Sequence, residues 1–338
     1  MIEVKNVRRV FRSVKKEEGL TGVFKLLTKP QVVEHEALKG VSFSIEPGAF
    51  IGLIGANGAG KTTILKILSG LIPPTSGEAS VMGFDPFKRH YDFRRQIALV
   101  MGQKAQLWWD LPATDAFDLL QAIYEIPKKT YKERIELLTT MLDVKTLLGT
   151  QIRRLSLGER MKMELIGALL HWPKIIFLDE PTIGLDVFAA QKLRKFLREF
   201  NQREKATIIL TSHNMDDIES LCSRILILRT GELIFDGAPQ KLISSENCRV
   251  RMRFKEQPSL SELSQVSLVP ESKIEIKDSD EEERHLFFEI KPSEMIPLLQ
   301  RIMAKFSLLD MSVEEQSLES VIERLYAAGS AGKLPHTS

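Results

Sequence analysis

The octapeptide Gly55-Ala56-Asn57-Gly58-Ala59-Gly60-Lys61-Thr62 carries the strongest chemical signal in the chain. It fits G-x-x-x-x-G-K-[ST] and lies between an apolar, strand-like run and a helix-like one, which is the context this motif requires. Glycines at these spacings let the backbone curl until successive N–H groups point into one cavity, where, with the N-terminus of the next helix, they cradle phosphate oxygens. Lys61 then reaches the β and γ phosphates of a nucleotide, the Thr62 hydroxyl coordinates Mg2+, and Thr63 borders the same anion site. A second signal is Ile175-Ile176-Phe177-Leu178-Asp179-Glu180, four apolar residues ending in two acids. A buried strand of this kind delivers Asp179 to its C-terminal tip, where open α/β sheets bind ligands and a carboxylate can hold a magnesium shell. Glu180, one residue on, is placed to polarise an attacking water. An ordinary core strand capped by acids is the plainer alternative, and the phosphate loop upstream argues against it.

These residues need elements to hold them. Short apolar strands separated by turns begin near residue 41, with Pro47-Gly48 between the first two, and strands then alternate with helices to about residue 240. That alternation predicts an α/β core. Between residues 113 and 170 the pattern is mainly helical, with Pro112 and Pro127 at starts and breaks. Beyond residue 244 the segments 249–254, 273–276 and 286–290 are predicted strands. Glu281-Glu282-Glu283-Arg284 is a predicted hairpin loop, and 292–306 and 318–326 are predicted helices around a short strand. The expected organisation is therefore a large domain over 1–244, a small α+β domain over 245–326 and a flexible tail over 327–338. The large domain carries a basic insertion at about 12–36 and a helical subdomain at about 104–170.

Composition narrows the function classes. A chain of 338 residues exceeds the ~250–300 residues that one core usually holds, so two domains are expected. With 47 Lys and Arg against 45 Asp and Glu the formal charge is +2, and no global field favours nucleic acid. Residues 1–33 nonetheless carry eight basic side chains against three Glu, a local +5, with Leu20, Val23, Phe24 and Leu27 at helical spacing. That segment is a candidate contact for lipid headgroups or a membrane protein, against the blander reading of a solvated insertion. No window of about 18 apolar residues occurs, and the N-terminus resembles a strand rather than a signal peptide. Cys222 and Cys248 lack disulfide-framework or metal-ligand spacing, which fits a reducing cytosolic setting.

With the phosphate loop and the acid pair in place, the chain resembles the ATP-binding subunits of ABC transporters over about residues 2–240. Leu155-Ser156-Leu157-Gly158-Glu159 is similar to that family's L-S-G-G-Q signature. Gln103, 42 positions after Lys61, falls at the Q-loop; Gly184-Leu185-Asp186 matches the D-loop; His213, 34 positions after Asp179, matches the switch histidine. The resemblance implies a P-loop ATPase fold, with a RecA-like core, an antiparallel β subdomain and a helical subdomain. Two such cassettes, in a homodimer or heterodimer, would clamp two ATP molecules head to tail. Ser156, Leu157, Gly158 and Glu159 of one copy would face the other's nucleotide. It further implies Glu180, His213 and Gln103 as catalytic groups, and Thr62, Gln103 and Asp179 around the magnesium. Phe11 is implied as the adenine-stacking aromatic, with Phe24 the alternative. Leu157 replaces the usual glycine, and Glu159 places a carboxylate near phosphate that Arg160 or Lys162 must offset.

The same resemblance implies a protein on the inner face of the cell membrane, held there by separate permease subunits. Trp108 and Trp109 are either anchors toward the permease or packing within the helical subdomain. The Gly231-Glu232-Leu233-Ile234-Phe235-Asp236-Gly237 hairpin and a C-terminal domain closing on Val313-Glu314-Glu315-Gln316-Ser317-Leu318-Glu319 resemble the daunorubicin-type drug-exporter ATPases. An importer subunit is the alternative. A soluble ATPase acting on DNA or ribosomes is less favoured: only 52 positions separate Gln103 from Leu155, leaving no room for a long coiled coil, and one P-loop occurs where translation factors carry two.

Overall fold

The computed structural model describes residues 1–14, 32–102, 104–242, 248–271, 274–278, 284–314 and 318–328. Gln103, Phe24, the apolar series 20–27, Glu281 to Glu283 and the tail beyond 328 lie outside the described residues. The chain divides into two units, Met1–Ala238 and Pro239–Ser338.

In the first unit, β1 (Ile2–Val14), β2 (Val32–Ile45) and β4 (Ser76–Val81) form an antiparallel sheet in the order β2-β1-β4. Here the structure corrects the sequence reading. Residues 12–14 and 32–36, expected within an insertion, continue the two strands, with Arg12 opposite Glu34 and Val14 opposite Val32. The β-branched valines at these positions suit a pleated pair better than a linker.

The central sheet has the order β5-β6-β7-β3-β8-β9. Its strands are β3 (Phe50–Gly55), β5 (Ile97–Met101), β6 (Ile175–Asp179), β7 (Thr207–Thr211), β8 (Arg224–Arg229) and β9 (Glu232–Gly237). All neighbours pair in parallel except β8 with β9, so every residue of β3 and β7 is buried, as central parallel strands require. Around them lie α1 (Lys61–Leu68), α2 (Tyr91–Arg94), α3 (Ala113–Ile123), α4 (Lys128–Leu142), α5 (Leu157–Leu169), α6 (Val187–Glu204) and α7 (Met215–Leu221). One apolar core runs from Ile2, Val4 and Ile45 of the antiparallel sheet through Leu65 and Leu68 of α1 to Leu53, Phe177 and Ile209. Pro112 and Pro127 stand just before α3 and α4, where a missing N–H costs no helical bond. Among the described residues no helix is long and apolar enough to cross a membrane.

His171, two residues beyond the end of α5, stacks on Tyr124 with ring centroids 4.1 Å apart and has Nε2 2.9 Å from the Ile97 carbonyl oxygen. Accepting that role, the carbonyl requires Nε2 to donate. Burial pushes the imidazole pKa from 6.5 down to about 4. A folded value below the unfolded one means that stability is lost as pH falls from about 6.5 and is fully lost below about 4. That gap corresponds to up to about 3 kcal/mol at ~1.4 kcal/mol per pH unit. Replacing His171 by Gln keeps a donor for Ile97 and removes the titration. Denaturant titrations between pH 7 and 4 should show a flatter stability profile for the variant; parallel profiles would rule the assignment out.

The second unit contains β10 (Cys248–Phe254), α8 (Leu260–Ser267), β11 (Ile274–Asp278), β12 (Arg284–Ile290), α9 (Pro292–Lys305), β13 (Leu308–Glu314) and α10 (Leu318–Ala328). Its antiparallel sheet has the order β11-β12-β10-β13. Val250, Met252, Leu286 and Phe288 pack with Leu263, Leu298 and Ile302 of α8 and α9 as a separate core.

Candidate active site

β3 ends at the C-terminal edge of the central sheet, and residues 56–60 turn from it directly into α1. Gly60 has a φ of +108°, and a Cβ there would lie 2.7 Å from the Ala37 carbonyl oxygen, so only glycine permits this turn. The Gly231 N–H donates to the Ala59 carbonyl, which ties the loop to the β8–β9 turn. α1 has neither a side-chain cap nor an acidic residue in its first turn, leaving its N-terminal N–H groups and dipole free for an anion.

Lys61 is 6% exposed, and its Nζ donates to the carbonyls of Gly55 (2.5 Å) and Ala56 (3.2 Å). Burial lowers its pKa, while Glu180 and Asp179 act in the opposite sense. A cation held among carbonyls at the mouth of the loop is one that phosphate oxygens would satisfy better.

Asp179, at the tip of β6, accepts hydrogen bonds from Thr62 Oγ1 (3.0 and 3.3 Å) and from Thr211 Oγ1 (2.7 Å). Glu180 takes a left-handed backbone conformation, φ 55°, and its N–H donates to the Thr211 carbonyl and hydroxyl, both at 3.1 Å. Its Oε1 lies 3.0 Å from His213 Nε2, which is itself 3.5 Å from Lys61 Nζ. The fold thus brings Lys61, Thr62, Asp179, Glu180 and His213 together from three separate segments, and Thr62, Asp179 and Glu180 line a cleft of about 250 Å3. Gly102, immediately before Gln103, donates its N–H to the Asp179 carbonyl at 2.8 Å.

The donor set fits magnesium. Thr62 and Asp179 present hard oxygens within hydrogen-bond distance of each other, and Mg2+ is usually held by one or two carboxylates, waters and substrate phosphates. Among the described residues no cluster of three or more His, Cys, Asp or Glu side chains exists that could hold a metal ion.

Phe11 lies on β1 opposite His35, 37% exposed, with the Arg9 guanidinium 4.7 Å from its ring centroid. Ser156 caps α5: its hydroxyl accepts the Glu159 N–H, while the Glu159 carboxylate accepts the Ser156 N–H (2.9 Å) and hydroxyl (2.8 Å). These hydrogen bonds, foremost from the Ser156 backbone, hold the Glu159 pKa below the ordinary carboxylate range. Of the two cations expected to offset this charge, Lys162 acts on Glu159 in the expected sense, whereas the Arg160 guanidinium stacks 5.0 Å from the Trp109 ring centroid. Leu157 leans over Gly184, leaving 2.7 Å to a Cβ placed there, and Asp186 caps α6 through the Ala189 N–H at 2.8 Å. Signature and D-loop residues share a cleft of about 490 Å3 that no residue of 55–63 lines.

Sequence reasoning missed three groups. Thr211 holds both acids, and Asp217, fully buried, accepts from Thr182, Ser212 and Arg194. Glu164 is buried in α5 and accepts the backbone N–H groups of Gln106 and Leu107. Ser212 and Thr211 at the end of an apolar strand were a visible signal for the first two; nothing local marks the third.

A sequence family described as ABC transporter matches residues 38–183. The chain is 34% identical over 218 residues to the ABC transporter ATP-binding protein NatA of Bacillus subtilis, covering 64% of this chain and 87% of that one. It is 34% identical over 204 residues to the probable multidrug ABC transporter ATP-binding protein YbhF of Escherichia coli, covering 60% of this chain and 34% of that one. It is 27% identical over 287 residues to the methionine import ATP-binding protein MetN 2 of Enterococcus faecalis, covering 84% and 82%. Among solved structures, the dimeric, ADP- and phosphate-bound post-hydrolysis cassette MJ0796 superposes with a TM-score of 0.59 at 25% identity, covering 70% of this chain and 98% of that one.

Proposed function

Because the chain belongs to the ATP-binding subunits of ABC transporters, a family of ATP-hydrolysing cassettes that act as dimers, we propose that it powers a separate membrane permease and exports a drug-like or lipophilic compound. The observation that carries the reading is that each of Lys61, Thr62, Asp179, Glu180 and His213 lies within 3.5 Å of another of the set. In this reading the P-loop N–H groups and Lys61 bind the β and γ phosphates, with Thr63 beside them. Thr62 and Asp179, with Gln103, hold Mg2+, which neutralises charge developing on the transferred phosphoryl group. Glu180 orients and polarises the attacking water, and His213, whose Nε2 lies 3.0 Å from the Glu180 Oε1, braces that carboxylate and faces the γ phosphate. Phe11 stacks the adenine.

Ser156 through Glu159 and Asp186 face the nucleotide of the second cassette. There the Ser156 hydroxyl exchanges the Glu159 carboxylate for a phosphate oxygen, so the ionised Glu159 is a built-in competitor for the same donor. The half-exposed rings of Trp108 and Trp109 offer the permease an aromatic anchor, which would hold the protein at the inner face of the membrane.

Export is supported by the likeness to YbhF. Import is the second reading, favoured by the 287-residue likeness to MetN 2, which is longer than the 238-residue first unit and so extends into the second. The discriminating experiment reconstitutes the chain with its permease in vesicles with the cassettes outward and measures Mg-ATP-driven movement of labelled compounds. Accumulation inside such vesicles is expected for an exporter. Release of preloaded compound would establish import, and ATP turnover unaffected by any permease would count against transport altogether.

A further inference from the structure

Glu164 sits two turns into α5 among Met161, Met163, Leu165 and Ile166, a stretch in which every residue is apolar and buried except Lys162 and Glu164 itself. At 6% exposure a carboxylate here is costly unless its oxygens are satisfied. They are satisfied by backbone alone: Gln106 N–H at 3.0 and 3.1 Å, Leu107 N–H at 3.2 and 3.3 Å. The contact is repeated along the same helix face. One turn earlier Arg160 stacks on Trp109, and one turn later Gly167 lets Leu107 approach to 3.0 Å of where a Cβ would stand. At its other end the segment that begins before Gln103 is fastened to the acid strand by the Gly102 to Asp179 bond.

We propose that Glu164 is a positioning residue, a strut that makes the helix capped by Ser156 move as one body with the segment following Gln103. A displacement at one nucleotide's magnesium shell is then transmitted to the signature presented to the other nucleotide. Charge-assisted bonds to two consecutive N–H groups fix both the position and the direction of that backbone, which one neutral bond does not. The proposal rests on the reading of residues 156–159 as partner-facing.

The test uses the full-length Glu180→Gln protein, in which hydrolysis is blocked, and adds Glu164→Gln or Glu164→Ala. ATP-driven dimerisation is followed by light scattering, and binding of a fluorescent ATP analogue is measured separately on dilute monomer. The expected result is monomer affinity within twofold of the parent, with the ATP needed for half-dimerisation raised at least tenfold by Ala and by less by Gln, which keeps one acceptor oxygen. Unchanged dimerisation overturns the strut. So does a parallel fall in monomer affinity and melting temperature, the signature of simple destabilisation. A parent that neither binds ATP nor dimerises overturns instead the nucleotide reading on which the strut depends.

Discussion

Glu180→Gln is expected to lower ATP turnover by two to four orders of magnitude while leaving ATP binding intact. The substitution keeps shape and hydrogen-bonding reach but removes the negative charge that polarises water. General-base contributions of 10²- to 10⁴-fold correspond to about 3–5 kcal/mol of barrier. The surroundings leave little room for a substitute. The Glu180 backbone is held in a left-handed conformation by two bonds from its N–H to Thr211, and its Oε1 engages His213 at 3.0 Å. Another carboxylate cannot swing in, because Asp179 is held by Thr62 and Thr211. Binding should survive, since Lys61 and the glycine-rich loop make their contacts on β3 and α1, apart from the Glu180 side chain. Single-turnover hydrolysis and the stoichiometry of retained ATP read the two effects separately. Turnover at the wild-type rate would remove Glu180 from the chemistry, and loss of binding would make it a nucleotide ligand instead.

The site was legible wherever it is local and opaque wherever it depends on tertiary neighbours. The phosphate loop and the strand ending in Asp179 announce themselves because a few consecutive residues dictate both conformation and chemistry. Ser156 entered the reading through the signature, and its partner was not anticipated: Ser156-x-x-Glu159 is a capping box, so the unusual acid of the signature serves the helix end before it meets any phosphate. The same device, Ser259-x-x-Glu262, marks α8, a helix the sequence reading passed over. The outer part of the β1–β2 pair was hidden because Arg12, Ser13, Glu34, His35 and Glu36 offer no apolar alternation of the kind that identifies strands, although Val14 and Val32 pair at its last described rung. Thr211 and Glu164 escaped for a different reason. Each acts on residues at least 31 positions away in sequence, and only the parallel order of β5, β6 and β7, with α5 against β5, creates those neighbours.

Gly102 belongs to that second group, and Gly102→Ala carries the other large expected effect. Its backbone needs no left-handed conformation, so space alone decides the outcome. A Cβ would stand 2.1 Å from the Glu180 carbonyl oxygen, 2.9 Å from its carbon and 3.2 Å from the Asp179 carbonyl oxygen. All three are backbone atoms at and just beyond the end of β6, which pairs in parallel with β5, and no side chain can turn away to relieve the contact. The strands must part by about an ångström, and overpacking of this kind costs about 1–3 kcal/mol. The same displacement lands on the two residues that hold magnesium and water in the proposed mechanism, where a misplacement of ~1 Å costs about 10²-fold in rate. Gly102→Ala should therefore lower the melting temperature, reduce turnover about a hundredfold and leave ATP affinity within a few-fold, because β3 and the phosphate loop lie two strands away from β6. Gly149→Ala is the control: nothing lies within 4 Å of its Cβ position and its φ is not left-handed, so turnover and melting temperature should stay near wild type. Wild-type turnover in Gly102→Ala would mean that the acid loop yields without moving its side chains, and the tight approach of β5 to Glu180 would lose its mechanistic meaning.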